Sequence, residues 1–374
     1  MKLLDYWDGK FSSSETDTVL DNEEVSDWNT SAYYKILCGE FPSFLNEYIS
    51  IPLLQRLSGV SLLCGTDWTK LFKNRFKYSR LDHSIGCALI VWNFTHDKKQ
   101  TIAALLHDVS TPAFSHVVDF KNGDSLKQES TENLNAVMIS QSRELLELLK
   151  SDKLLLCEVD DYHKYPVADN DRPALSSDRL EYMFPSGAAL DGEWTLDEIK
   201  KCYSAIRVLK NEKGVDELGF IDEAQAVLYT KKFCAIGHLL QRNEDKVAMQ
   251  LMADVLSCGI NEKLFSEKDF YVYDEAWFIK KLSDFCERNP GSKLSRLYYT
   301  YTGMTNVIHS DEAHENCWCV SLDVKARYVN PLLLCADGKA RRISEVNKEA
   351  ELCIENFLSF KDTRYGCVPY REKA

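Results

Sequence analysis

The sequence of 374 residues has no apolar run long enough to cross a membrane. Its longest apolar runs, Ala88 to Trp92 and Leu332 to Cys335, fall far short of the roughly 20 residues that a transmembrane helix needs. The first ten residues become polar before the apolar core of a secretory signal peptide could form. We therefore expect a cytoplasmic protein that has no membrane partner.

The sequence also lacks an excess of positive charge. It has 45 Lys and Arg against 58 Asp and Glu, which gives a formal net charge of -13. Stable nucleic-acid binding depends on a basic face that neutralises phosphates, so we expect none. A small phosphate-bearing substrate is not excluded, because a few local cations are enough to bind it.

No C-x-x-C pair occurs among the 13 cysteines. Cys317 and Cys319 form a lone C-x-C within a segment that we interpret as a strand. Scattered cysteines without metal-binding spacing are typical of cytosolic proteins, in which thiols stay reduced. We therefore expect buried, reduced thiols.

The spacing of apolar residues predicts a mostly α fold. Helical spacing recurs in residues 31–73, 82–97, 99–108, 131–149, 223–258, 274–286 and 344–360, and a further helix begins at residue 177. Alternating residues from Trp318 to Val324 predict a strand. We interpret residues 1–30 as a loose polar arm, residues 31–260 as a helical domain, and residues 261–374 as a helical region with a small C-terminal α+β lobe.

Four residues in separate helical segments could bind a metal ion together: His83, His107, Asp108 and Asp178. Two imidazoles and two carboxylates suit a divalent ion such as Mn, Fe, Co, Ni, Zn or Mg. His107 and Asp108 end the apolar segment T-I-A-A-L-L-H-D, where two ionisable side chains are costly unless something binds them.

Each of these residues alone could instead be a helix cap or a hydrogen-bonded core residue. A second His-Asp pair, His96 and Asp97, lies in the charged segment H-D-K-K, and we interpret it as solvated surface. The ordered set of four distinguishes the first pair from the second.

Three segments resemble the HD-domain phosphohydrolase superfamily: R-L-D-H-S-I-G (80–86), A-L-L-H-D-V-S-T-P-A-F-S-H-V-V-D (104–119) and S-D-R-L-E-Y (177–182). The similarity is greatest to the branch of bacterial dGTPases and the animal dNTP triphosphohydrolase with SAM and HD domains. The resemblance implies an HD-type helical bundle in residues 31–260 and a metal ion bound by His83, His107, Asp108 and Asp178. It also implies metal-dependent hydrolysis of a phosphate-bearing substrate, and homo-oligomers, since dimers and tetramers are common in that branch.

The resemblance assigns roles to further residues. Asp119 corresponds to an aspartate near the attacked phosphate and would orient or activate a water, with His116 or Glu129 handling the proton. The resemblance also implies a set of substrate-binding residues, three cations for phosphate and one pocket tyrosine: Arg80, Arg179, Lys232 and Tyr182.

The sequence departs from the family at two histidines near the scissile phosphate, which are replaced by Thr111 and Gln128. Neither residue can supply a proton near neutral pH. The positions that would read a sugar hold Leu62, Ser186 and Leu240. These differences predict a nucleotide or other phosphoester substrate that is not an ordinary dNTP.

Three functions remain open from the sequence. The first is a metal-dependent phosphohydrolase, and the second is a metal-containing nucleotide- or phosphate-binding regulatory protein that has lost turnover. The third is a structural protein without a metal, which would require the four polar residues to converge for no ligand.

Overall fold

The computed structural model describes residues 28–128, 134–190 and 192–372. Nearly all of the predicted N-terminal arm, and Glu129, lie outside the described residues. Most of the described residues are helical, which confirms the mostly α fold. Every helix among them is too short or too polar to span a bilayer.

The helices are numbered here along the chain. The helices that precede the first strand are α1 (Thr30–Leu37), α2 (Leu45–Ile49), α3 (Pro52–Gln55), α4 (Arg80–Thr95), α5 (Lys98–Leu106), α6 (Val117–Lys121), α7 (Asn135–Gln141), α8 (Arg143–Ser151), α9 (Ser177–Leu190) and α10 (Leu196–Ser204). The later helices are α11 (Glu223–Leu239), α12 (Asn243–Asn261), α13 (Glu275–Arg288), α14 (Lys293–Gly303), α15 (Ile343–Val346) and α16 (Lys348–Ser359).

The strands form two small sheets. They are β1 (Ile206–Lys210), β2 (Asp216–Phe220), β3 (Ile308–Ser310), β4 (Cys317–Val320), β5 (Leu332–Leu334), β6 (Ala340–Arg342) and β7 (Tyr365–Pro369). One sheet has the order β1-β2-β5-β6, with β2 and β5 parallel, and the other is antiparallel with the order β3-β7-β4. The C-terminal strands β5 and β6 thus extend a sheet that β1 and β2 begin. The domain boundaries at residues 30 and 260 stay predictions.

Several predicted helices are shorter than their patterns indicated. The helix predicted at 131–149 breaks at Ser142, whose extended backbone ends α7 and whose hydroxyl caps α8. Residues 240–242 divide the helix predicted at 223–258, and residues 31–73 contain only short helices. The predicted strand ends at Val320, and residues 321–331 have no regular structure. The β1–β2 hairpin was not predicted.

The expectation that every cysteine is reduced is wrong for one pair. Cys319 on β4 and Cys367 on β7 lie directly opposite each other in the antiparallel register and form a disulfide. The other cysteines are free thiols. The two residues are 48 positions apart, so their pairing depends on a strand contact that spacing in the sequence does not reveal.

Two large apolar clusters form most of the core, and a small third one joins α11 and α16. The first large cluster draws on α1 to α5 and α7 to α11 and includes Val329 and Leu333 from the C-terminal segment. The second combines α12, α13 and α14 with Phe114 and Phe120. Burial of each such side chain stabilises the fold by about 1.5–3 kcal/mol. The candidate site lies where residues from both clusters border one cavity.

Candidate metal centre and cavity

A helical hairpin brings two histidines to the same end of the bundle. The hydroxyl of Ser79 caps the first turn of α4, which carries His83. The exposed His96, with a φ of 49°, ends α4, and the carboxylate of Asp97 caps α5. The second His-Asp pair therefore forms the turn of the hairpin. Because α5 runs back antiparallel to α4, His107 at its end returns to the level of His83.

Three side chains from different helices point donor atoms at one place. The Nε2 atoms of His83 and His107 lie 3.2 Å apart. The carboxylate Oδ1 of Asp178, in the first turn of α9, lies 3.0 Å from Nε2 of His83 and 3.7 Å from Nε2 of His107. The structure thus brings together three of the four predicted metal ligands.

The other ring nitrogen of each histidine is already engaged. Nδ1 of His83 lies 2.5 Å from a carboxylate oxygen of Glu181, and Nδ1 of His107 lies 2.7 Å from the carbonyl oxygen of Ala104. A proton on Nδ1 satisfies each acceptor and leaves the Nε2 lone pair free to ligate. This is how proteins orient metal-binding imidazoles.

Glu181 is a site residue that we did not identify from the sequence. It is fully buried, and the hydroxyl of Tyr78 donates to it at 2.6 Å. Gly86 on α4 makes room for it, because a Cβ there would collide with the carboxylate. The available signal was an acid three residues after Asp178, a spacing that places both side chains on one face of a helix.

Two residues compete for the fourth ligand position. Sγ of Cys87 belongs to a group with His83, His107 and Asp178 in which the ligand atoms all lie within 4.8 Å of one another. The sulfur lies 3.7 Å from both ring nitrogens of His83, so it packs over the ring face, away from the Nε2 lone pair. Oδ2 of Asp108 lies 3.6 Å from Nε2 of His107.

Asp108 is held by polar neighbours. Its Oδ2 pairs with Nη1 of Arg80 at 3.0 Å, and the hydroxyl of Thr111 donates to its Oδ1 at 2.8 Å. Burial raises the pKa of the Asp108 carboxyl, but Arg80 and the two imidazoles outweigh this effect and hold the pKa well below its usual range. Asp108 is therefore a carboxylate at neutral pH. Thr111 thus positions this carboxylate.

The donor set fits a divalent metal ion. Two imidazoles and carboxylate oxygens suit borderline and hard divalent cations, and the set alone does not choose among them. Buried ionisable groups that face one another in this way are costly unless something compensates them. The described residues could therefore hold a divalent metal ion here.

The donors line a cavity of about 850 Å³. Residues from both core clusters and from the C-terminal segment border it. Its aromatic lining residues are Phe72, Phe120, Tyr162, Tyr182, Phe233 and Tyr328, and its basic ones are Lys73, Arg80, Arg172, Arg179, Lys325 and Arg327. A cavity of this size, with aromatic walls and several cations, can accept a small organic anion.

Arg80 and Arg179 both line the cavity, as predicted. Arg80 is buried and pairs with Asp108. Arg179 pairs with Asp169 at 3.2 Å and donates to the amide oxygen of Asn170 at 2.6 Å. Each guanidinium therefore has a protein partner that holds it in place.

Tyr182 also lines the cavity, and burial raises its pKa to about 12. It is thus a neutral hydrogen-bonding group at any physiological pH. Of the residues at the predicted sugar-reading positions, Leu62 and Leu240 line the cavity, whereas Ser186 is fully buried and is not among the lining residues. These two leucines offer no hydrogen bond to a sugar hydroxyl.

The structure does not bring Lys232 to the cavity, and it is not among the lining residues. Its ammonium pairs with Glu198 at 3.0 Å, donates to the carbonyl of Glu193, and lies 4.5 Å above the ring of Trp194. Residues before and within α10 thus hold this side chain, whereas the adjacent Phe233 lines the cavity. The role of Lys232 as a phosphate ligand stays a prediction that these contacts do not favour.

His116 and Asp119 form a pair in which the histidine faces the cavity. Nδ1 of His116 lies 3.0 Å from the carboxylate of Asp119, which is fully buried and is not among the cavity-lining residues. Burial lowers the pKa of His116, the bond to Asp119 opposes this, and Arg327 and Arg80 lower it further, to about 4. The imidazole is therefore neutral at pH 7, with Nε2 as a proton acceptor. Among the described residues, His116 links Asp119 to the cavity.

Gln128 makes a contact that the sequence did not suggest. Its amide oxygen accepts a hydrogen bond from the guanidinium of Arg327, and its amide nitrogen donates to the carbonyl of Ser125 at 3.1 Å. Arg327 lines the cavity although it is nearly 200 residues from Gln128 in the sequence. No local pattern marks such a pair. Glu129, the other predicted proton carrier, lies outside the described residues.

No family model matches the chain. Over 187 residues the chain is 24% identical to the metal-dependent phosphohydrolase cns2 of Cordyceps militaris, a match that covers 49% of this chain and 52% of that protein. Over 141 residues it is 32% identical to the uncharacterized protein YdhJ of Bacillus subtilis, covering 37% and 41%. The chain thus spans about half the length of the curated relatives that it matches.

Two solved structures share the fold at 16% identity. One is a hypothetical protein from Aquifex aeolicus, with a TM-score of 0.56 over 88% of this chain and 92% of that one. The other is a phosphohydrolase from Bacteroides thetaiotaomicron, with a TM-score of 0.57 over 90% and 95%. None of these four proteins is named as a dGTPase or a dNTP triphosphohydrolase, so the resemblance to that branch stays a prediction.

Proposed function

We propose that this chain is a metal-dependent phosphohydrolase of the HD type that acts on a nucleotide or another phosphoester. The proposed metal ligands are His83, His107, Asp108 and Asp178. The observation that carries the proposal is the convergence of the Nε2 atoms of both histidines with the carboxylate of Asp178. Glu181 engages Nδ1 of His83, and the carbonyl of Ala104 engages Nδ1 of His107. The phosphohydrolase name of one sequence relative, and of one protein with the same fold, supports it.

The chemistry follows from the arrangement of the chain's own groups. A bound divalent ion would polarise a phosphate oxygen and lower the pKa of a water molecule. His116, which is neutral and oriented by Asp119, would accept a proton from the attacking water. Arg80 and Arg179 place positive charge on the cavity wall, where it favours the negative charge of a phosphate group.

The cavity lining also indicates what kind of substrate fits. Leu62 and Leu240 give the lining apolar surface, which suits a substrate whose phosphate is bound more specifically than its sugar. We therefore propose a phosphoester or nucleotide other than an ordinary dNTP.

Hydrolysis of dNTPs, NTPs, nucleoside monophosphates and simple monoesters by the metal-loaded protein tests this proposal. His116→Asn serves as the catalytic variant and Arg341→Gln, which changes a partly exposed β6 residue that is not among the cavity-lining residues, as the control. The proposal expects turnover of some phosphoesters, a loss of about 10²–10⁴-fold in His116→Asn, and none in the control. A clear preference for dNTPs would contradict the substrate assignment. The absence of turnover with every substrate would contradict the proposal that the protein is an enzyme.

One observation favours a second function, a metal-containing phosphate-binding regulatory protein. Thr111 and Gln128, which replace two family histidines, hold Asp108 and Arg327 in place and cannot transfer protons near neutral pH. Bound metal and bound phosphate without turnover in the same assay would favour this alternative.

A further inference from the structure

A segment of the C-terminal region crosses the edge of the cavity. This segment, residues 323–330, is called the strap here, and Val324, Lys325, Arg327 and Tyr328 within it line the cavity. At one end, the backbone amide of Lys325 donates to the carbonyl of Ser125 at 3.2 Å, and the Ser125 hydroxyl donates to the carbonyl of Asp323 at 2.9 Å. The strap is thus fixed to the loop that carries Gln128.

The strap is also fixed to the turn at residues 169–173. The guanidinium of Arg172 donates to the carbonyl of Ala326 at 2.8 Å, and the backbone amide of Asn330 donates to the carbonyl of Pro173 at 2.8 Å. The side chain of Val329 is buried in the first core cluster. Attachments on both sides of residue 327 hold its backbone in position at the cavity.

The charge of Arg327 is not neutralised by an ion pair, unlike the charges of two other arginines that line the cavity. Arg80 pairs with Asp108, and Arg179 pairs with Asp169. Among the described residues, the guanidinium of Arg327 has the neutral amide of Gln128 as its hydrogen-bond partner and no carboxylate within ion-pair distance.

Nearby groups respond to this charge. Arg327 lowers the pKa of His116 and opposes the effect of burial on the pKa of Tyr182. It also opposes the effect of burial on Asp245, a cavity-lining carboxyl whose pKa burial raises to about 7 and which forms no ion pair with Arg327. A partly buried guanidinium without a carboxylate partner has several donors in a planar fork that matches phosphate oxygens.

We propose that Arg327 is a substrate-binding residue of the cavity: its guanidinium, held by Gln128 and by the strap, binds a phosphate oxygen of the substrate. This inference rests on the proposed function. It adds a phosphate ligand from the C-terminal segment, which lies beyond all the site positions named from the sequence. Gln128 acts as a positioning residue, because its neutral oxygen orients the guanidinium without cancelling its charge.

Binding of inorganic phosphate to the metal-loaded full chain tests this inference without requiring turnover. Phosphate affinity is measured by calorimetry in wild type, Arg327→Gln, Arg327→Lys and the control Arg341→Gln, which removes an equal charge from a partly exposed β6 residue that is not among the cavity-lining residues. We expect phosphate binding to weaken about 10-fold or more in Arg327→Gln, since a hydrogen bond between charged groups contributes about 1.5–3 kcal/mol. The phosphate affinity of Arg327→Lys should lie between those of wild type and Arg327→Gln, and the control should bind phosphate like wild type.

A second variant keeps the inference testable if Arg327→Gln fails to fold. Gln128→Glu retains the guanidinium but gives it a carboxylate partner, so phosphate binding should weaken in the same direction. Wild-type affinity in either folded variant would overturn the role of Arg327 while leaving the proposed function intact. A wild-type protein that neither binds phosphate nor hydrolyses phosphoesters would overturn both proposals.

Discussion

Glu181 on α9 and His83 on α4 are joined by a buried contact of 2.5 Å between a carboxylate oxygen and Nδ1. The two residues are 98 positions apart, and Gly86 provides the space in which they meet. This contact fixes the ring of His83 so that Nε2 faces His107 and Asp178. The orientation of the proposed metal ligand thus depends on a residue that does not itself reach the metal position.

Replacement of Glu181 by glutamine should weaken metal binding. The amide keeps the size of the side chain but removes the charge that raises the basicity of the imidazole, and loss of such a partner typically costs about 10–100-fold in metal affinity. Competition with a chromogenic chelator measures the change. Glu349→Gln, on the exposed face of α16, is the matched control and should bind metal like wild type. Equal affinities in all three proteins would contradict this role.

Cys87→Ala should retain the bound metal. The sulfur packs over the ring of His83 at 3.7 Å from both nitrogens, so it is poorly directed toward the position where the Nε2 atoms converge. Elemental analysis of the purified variant checks this prediction. A loss of metal from Cys87→Ala would instead identify Cys87 as a ligand in place of Asp108.

Lys232→Met should leave the activity unchanged, because the ammonium of Lys232 faces Glu198 and Trp194 and not the cavity. The free energy of unfolding should fall by up to about 1 kcal/mol, as for other partly exposed ion pairs. Urea unfolding and kcat/KM measure the two effects. Arg179→Met provides the contrast, with reduced kcat/KM. If Lys232→Met alone lost activity, the lysine would belong to the site after all.

His309 should make the stability of the protein depend on pH. Its ring nitrogens lie 2.9 Å from Asp362 and 2.9 Å from Glu244, at the start of α12. Although burial lowers the pKa of His309, its bonds to these two carboxylates outweigh that effect and raise the pKa above its ordinary value. A histidine whose pKa is raised by folding stabilises the protein fully below its unfolded pKa of about 6.5, and this contribution is lost as the pH rises through the folded value.

Thermal unfolding of wild type and His309→Gln between pH 5.5 and about 9 measures this contribution. The Tm of the variant should lie below that of wild type at the acidic end, and the difference should shrink as the pH rises. A difference that is constant, or that grows with pH, would contradict an imidazolium between the two carboxylates.

The meeting of His83 and His107 was predictable from the sequence because the two helices that carry them follow local rules. His83 lies in a capped first turn, and His107 lies at the end of an apolar helix that packs antiparallel to the preceding one. Helical periodicity and capping residues reveal such an arrangement without knowledge of the rest of the chain.

The other parts of the site depend on contacts between distant segments. Lys232 was assigned to the cavity by the family resemblance, but Trp194 and Glu198 decide which way its side chain points. The positions of Arg327 and Cys367 also depend on distant contacts. The strap brings Arg327 to Gln128, and strand β7 brings Cys367 to Cys319. No periodicity in the sequence encodes these contacts.

The most direct test of the account measures bound metal and turnover in the same preparation. The protein is purified without chelators, its metals are quantified by mass spectrometry, and wild type and Asp108→Ala are assayed together on the nucleotide and phosphoester panel. We expect wild type to hold at least about one equivalent of a divalent metal and to hydrolyse phosphoesters. Both the metal content and the turnover should be reduced in Asp108→Ala. A wild-type protein that holds no metal, even after reconstitution with Mn, Fe, Ni or Zn, would contradict the metal centre at His83, His107 and Asp178.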